Sequence, residues 1–216
     1  AIGHQAEASG ADSISIGTLS GASNTHSIAI GDKARAYGID AIAFGASANA
    51  TATNAMAVGR NARSTAGGSV AVGINTEVTQ INSVAMGATA KAYGDSAVSL
   101  GVDVVSRGHS AVAVGANADA LAQSAVSIGD STLANAHNAV SVGISSQATA
   151  ERAIAMGDST RATAWDGVAI GTAAKANATG AVAIGKDALA NQEAGTAVGI
   201  GAEATGQYAA AFGDVA

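Results

Sequence analysis

The sequence predicts an all-β protein, a parallel β-solenoid wound as a two-sided roll of 14-residue coils. Two observations predict it. A glycine returns at intervals of 14 residues, sixteen times from Gly3 to Gly213. Large apolar residues stand one and three positions before these glycines, separated by Ala or Ser alone, as in Ile14-Ser15-Ile16 and Val70-Ala71-Val72. That strict period-two alternation is the mark of a short β-strand with one bulky and one tiny face.

The first strand of each coil is set by its apolar columns. The residue before the marker glycine runs Ile2, Ile16, Ile30, Phe44 through to Phe212. The column two residues earlier runs from Ile14 to Val182 and fails only at Thr196 and Ala210. A second, weaker strand follows the marker. Small residues stand three and five positions past it (Ala6, Ala8, Ala34, Ala36), alternating with mixed polar ones such as Arg35, Arg63, Glu77 and Lys91. A helical reading of this alanine-rich chain fails, because β-branched residues flanked by glycine at every repeat would break and stiffen each helix.

Two strands and two turns in 14 residues are too few for a three-sided coil and fit a flattened roll. Coils stacked at about 4.8 Å carry the markers over roughly 70 Å, with backbone hydrogen bonds running between coils. The absence of proline among 216 residues agrees with that ladder, since proline in a stacked strand removes a bond. The whole of 1–216 reads as one β-roll of about 15 coils.

Sheets with ordinary side chains pack about 10 Å apart, and an interior of alanine alone would draw them closer. The reading therefore places Ile14, Ile16, Ile28 and Ile30 inside, against Ala6, Ala8, Ala34 and Ala36. The Ala/Ser face of the first strand is then left outside, uniformly tiny, as close approach of another backbone demands. Ser15, Ala29, Ala43, Ala57 and Ala71 become the expected interface of a symmetric oligomer. The opposite assignment would put Ile and Val in an intersubunit core.

Composition excludes several functions. With no cysteine there are no disulfides and no thiolate metal sites. Net charge is −6, from 16 acidic and 10 basic residues, which disfavours nucleic acid. No apolar run is long enough to cross a bilayer as a helix, so no direct membrane contact is expected of this domain. His109 and His137 share a column two coils apart, about 10 Å, too far for one metal. His26 lies one coil from both Asp12 and Asp40 and reads as a surface charge cluster. No nucleophile, phosphate loop or calcium-roll motif is present, so neither a cofactor nor an enzymatic activity is expected. Irregular columns argue against an ice-binding array, since Thr51 and Thr53 give way to Tyr37, Arg107, Leu121 and Trp165.

The unit Ser27-Ile28-Ala29-Ile30-Gly31, repeated as Ser83-Val84-Ala85-Met86-Gly87 and Ala181-Val182-Ala183-Ile184-Gly185, resembles the S-V-A-I-G-x-x-A/S signature of YadA-like heads. These are the head domains of trimeric autotransporter adhesins. The resemblance covers essentially the whole chain. It implies a left-handed parallel β-roll, a homotrimer and display outside the bacterial outer membrane by a C-terminal anchor. It also implies attachment to host matrix proteins such as collagen, fibronectin or laminin, to immunoglobulin, or to cells. No neck or heptad signature stands before Ala216, so the sequence reads as the head alone or part of one, and Thr196 and Ala210 suggest a cap or transition near its end. The alternative role is a structural spacer that displays another domain of the same fibre. Because the structural columns are committed to the roll, specificity is expected in the columns that vary. Tyr37, Tyr93 and Leu121, with Leu133 and Leu189, are candidates on the outer strand, and Ile39, Ile81 and Trp165 at the turn.

Overall fold

The computed structural model describes residues 1–215. The chain is an all-β parallel solenoid of about 15 turns, with no helix among the described residues. It divides into two compact units, Ala1–Ser106 and Arg107–Ala216. In the first unit, three-residue strands recur from Ile14–Ile16 to Val98–Leu100 and two-residue strands from Glu7–Ala8 to Val105–Ser106. In the second, the three-residue strands run from Val112–Val114 to Ala210–Phe212 and the two-residue strands from Asp119–Ala120 to Glu203–Ala204. Within each unit every strand pairs in parallel with its equivalent one coil on, Ile28 with Ile42 and Glu77 with Lys91, Val140 with Ile154 and Arg161 with Lys175.

Each coil closes through two tight turns. The amide of Ala34 donates to the Gly31 carbonyl at 3.2 Å, and that of Ala41 to Gly38 at 3.3 Å. The residue two past the marker takes positive φ, and so does the one nine past it, as at Lys33 (φ 55°) and Asp40 (φ 56°). Asn, Asp and Ser hold most of these places because their short side chains tolerate the left-handed region. A coil is thus two similar halves of seven residues, each ending in the same kind of corner.

The turns decide which face is inside, and they reverse the expectation from side-chain volume. A turn of four residues holds its ends within about 7 Å, well short of the ~10 Å that interdigitating Ile and Val require. The interior is therefore filled from both strands by the tiny columns. Ala29, Ala43, Ala57, Ala71 and Ser15, expected to face another chain, are 0% exposed inside the roll. They lie across from Ala34, Ala36 and their equivalents, which do point inward. The largest fully buried side chains are Val78 and Val104. Ile14, Ile16, Ile28 and Ile30, expected inside, are instead exposed or half-buried on the outer face of the three-residue sheet.

Hydroxyl pairs confirm how narrow the interior is. Ser15 Oγ lies 2.7 Å from Ser20 Oγ, and Ser141 Oγ lies 2.7 Å from Ser146 Oγ, each bond joining opposite walls of one coil. Buried Thr76 and Ser83 donate to the carbonyls of Gly87 and Gly94 one coil on, at 2.6 and 2.7 Å. A buried hydroxyl without a partner would be costly; these are satisfied by the wall opposite or the coil above.

The marker glycines serve a close approach. At Gly129, φ is +134°, and an added Cβ would stand 1.8 Å from the carbonyl oxygen of Gly143. Gly129→Ala should combine a backbone conformation open essentially to glycine with a clash against the next coil, and destabilise the roll by about 3 kcal/mol. Chemical denaturation followed by far-UV circular dichroism measures it, and an unchanged midpoint would refute the role given to the marker.

Candidate functional site

With the small residues inside, the Ile/Val columns form a continuous apolar face on each unit. Phe44 (52% exposed) and Met86 (45%) stand on it in the first unit, Ile128 and Met156 in the second. No Lys, Arg, Asp or Glu occurs in either column. Exposed apolar residues continue onto the turns that flank the face, at Ile74 and Ile144 just past the marker and at Ile39, Ile81 and Trp165 on the opposite turn. Soluble monomers rarely leave a contiguous patch of this kind uncovered. A roll that buries mostly Ala and Ser gains little from its own interior, so much of its available hydrophobic energy stays on this face.

The outer face of the two-residue sheet differs in character. Tyr37 is exposed and lies over Gly21, where a Cβ would meet its ring at 3.2 Å. Tyr93 is half-buried, and its Oη donates to Glu77 Oε2 at 2.6 Å. Glu77 pairs in register with Lys91, but its ion pair is with Arg63, at 3.1 Å. Leu121, Leu133 and Leu189 are half-buried on the same face of the second unit. Arg161 and Lys175 stand exposed on adjacent coils beside Thr163, whose hydroxyl meets Asn177 Oδ1 at 3.3 Å. Partial burial pushes the Asp119 carboxyl up, and Arg107 offsets part of that rise.

Two polar clusters mark the turn opposite the marker. His26 Nδ1 lies 2.9 Å from Asp40 and its Nε2 3.9 Å from Asp12, all three exposed. Among the described residues no group of three or more His, Asp or Glu is arranged to hold a metal. In the second cluster Arg152 makes a two-pronged ion pair with Asp166, at 2.6 and 2.7 Å, with Glu151 at 3.5 Å. The same guanidinium stacks over Trp165, 4.5 Å from the ring centroid, and leaves the indole 48% exposed.

The hydrogen bonds from Arg152 hold the Asp166 carboxyl below its usual value. A depressed folded value means that this pairing contributes fully above the unfolded value of about 3.9 and is lost as pH falls through the lowered folded one. Trp165 is the chain's sole tryptophan, so its emission should hold steady down to about pH 4 and change only on further acidification. A transition centred near pH 6 would contradict the pairing.

A family model described as the YadA head domain repeat matches residues 1–20, 22–48, 50–76, 79–103, 106–132, 134–160 and 162–188. The chain belongs to the YadA head family. Membership gives it an adhesin-type role, and heads of this family are exposed at the cell surface. Among solved structures, the collagen-binding domain of the Yersinia adhesin YadA is 28% identical, with a match covering 62% of this chain and 67% of that one at a TM-score of 0.44. No curated protein matches the chain.

In this YadA-type head the sequence-predicted residues fall in three places. Tyr37 and Tyr93 lie on the outer face of the two-residue sheet in the first unit and Leu121 on that face in the second, Trp165 stands at a turn beside the second unit's apolar face, and the five Ala and Ser residues lie in the core. Sequence reasoning missed the stacking of Arg152 on Trp165. The signal was their spacing of 13 residues, which makes them diagonal neighbours on successive coils.

Proposed function

We propose that the chain is the attachment head of a bacterial surface fibre. Three copies join through their Ile/Val faces around a common axis, and the outer sheet contacts host matrix proteins such as collagen, fibronectin or laminin, or immunoglobulin. The observation that carries this reading is the division of labour between columns in a YadA head repeat. The interior and the apolar face hardly vary, whereas the outer columns change from coil to coil around Tyr37, Tyr93 and Leu121. A cyclic arrangement suits a face without charge, because each side chain then meets its own copies at the same height. It also keeps all three chains pointing one way, as display from the outer membrane requires. Anchoring falls to another part of the polypeptide, and no catalysis is assigned.

The negative charge shapes the partner. Three chains together carry −18, three times the −6 of one, so an acidic ligand is repelled at long range and must engage local basic positions such as Arg161 and Lys175. Purified protein should bind at least one of immobilised collagen, fibronectin, laminin or immunoglobulin in a surface-plasmon assay. Tyr37→Ala, Tyr93→Ala or Leu121→Ala should then weaken binding by tenfold or more if the residue is a contact hot spot. Failure across the panel by a protein of trimeric mass would favour a spacer that only displays a neighbouring domain.

A further inference from the structure

We infer that the copies are locked by a lateral seam, in which the marker turn of one chain meets the opposite turn of the next with residue i facing residue i+7. The inference rests on the trimer reading above and specifies its register. Three identical faces turned toward one axis have two kinds of edge. One edge carries the residues just past the marker, and the other those eight and nine past it. A rotation by one third of a turn brings the first edge of each copy beside the second edge of its neighbour. Because pure rotation leaves height unchanged, the facing residue must be half a coil away in sequence, at i+7 or at i−7.

Charge and shape select i+7. Lys33 then faces Asp40 and Lys186 faces Glu193. All four are exposed, and among the described residues neither lysine forms an ion pair within its own chain. Ile74, 45% exposed, faces Ile81, 51% exposed, so each covers apolar surface that the single chain leaves in water. Across all such pairs of the two edges no like charges meet. The i−7 register brings the like charges of Asp158 and Glu151 together and gives Lys186 only Thr179. The i+7 seam also brings the next copy's Asp158 to Trp165 and its stacked Arg152, which turns the half-exposed indole from an open contact into part of the seam.

The natural absence of cysteine makes the register readable. Lys186→Cys combined with Glu193→Cys should, after mild oxidation, give a covalent trimer on a non-reducing denaturing gel. Ile74→Cys with Ile81→Cys should do the same from the first unit. Within one chain such a pair is separated by a strand of about 13 Å, beyond the ~7 Å that a disulfide spans, so the crosslinks must run between chains. Lys186→Cys with Thr179→Cys, the i−7 pair, should stay monomeric on the gel. A protein that sediments as a trimer yet crosslinks through the i−7 pair, or through neither, would overturn the seam while leaving the trimer standing. A protein that sediments as a single chain would overturn the trimer reading itself.

Discussion

Ala43→Glu should unfold the roll rather than merely separate its copies. Ala43 is 0% exposed between Ile42 and Phe44, with its side chain aimed at the opposite wall of its own coil. The turns fix the distance between walls, so a longer side chain has no space to enter. A carboxylate there would also lie among Ala29, Ala57 and Ala48, with no cation near it. Overpacking and an unpaired buried charge together cost about 5 kcal/mol or more, which is comparable with the stability of many whole domains. The expected result is loss of the far-UV β-spectrum at neutral pH, or a denaturation midpoint far below that of the parent. A folded Ala43→Glu chain that had simply become monomeric would mean that this column faces outward.

Val140→Glu should do the converse. Val140 lies on the apolar face between Val126 and Ile154, and is already partly open in a single chain. Within one roll the substitution meets solvent and should change stability by no more than about 0.5–1 kcal/mol. In the proposed trimer it places three carboxylates around the axis, each desolvated and each beside its like. At about 4 kcal/mol for each of the three carboxylates, that should weaken the trimerisation constant by about a billionfold, some 12 kcal/mol. Sedimentation velocity at micromolar concentration should show the single chain for Val140→Glu and the parental species for Gln147→Glu, where the same charge sits on the outer sheet. Equal behaviour of the two variants would show that the apolar face is not where chains meet.

The contrast between these two positions also shows how far the sequence could be read. Strand, turn, period and parallel pairing were legible because each leaves a local signature: alternation about Ala43, glycine at Gly45, register at 14 residues. The direction of the faces was not, because alternation specifies two faces without saying which one is inside. The deciding quantity is the width of the turn, set by bonds such as Ala48 to Gly45 at 3.2 Å and by positive φ at Ser47. Side-chain volume at Ile14 and Ile28 therefore does not predict which way these residues face. Surface pairs one coil apart, His26 with Asp40 and Arg152 with Asp166, follow directly from the period. Diagonal contacts, such as Tyr93 with Glu77 and Arg152 with Trp165, are brought within reach by their spacing, but whether they form depends on how long side chains lean.

This roll keeps its small residues inside and its large ones outside, and in the proposed trimer other copies supply the burial its own interior lacks. Sedimentation equilibrium on the unaltered chain tests that most directly. The predicted mass is three times the 20.5 kDa of one chain, persisting on dilution into the nanomolar range. A stable species of 20.5 kDa, folded and soluble with its Ile/Val face in water, would contradict it.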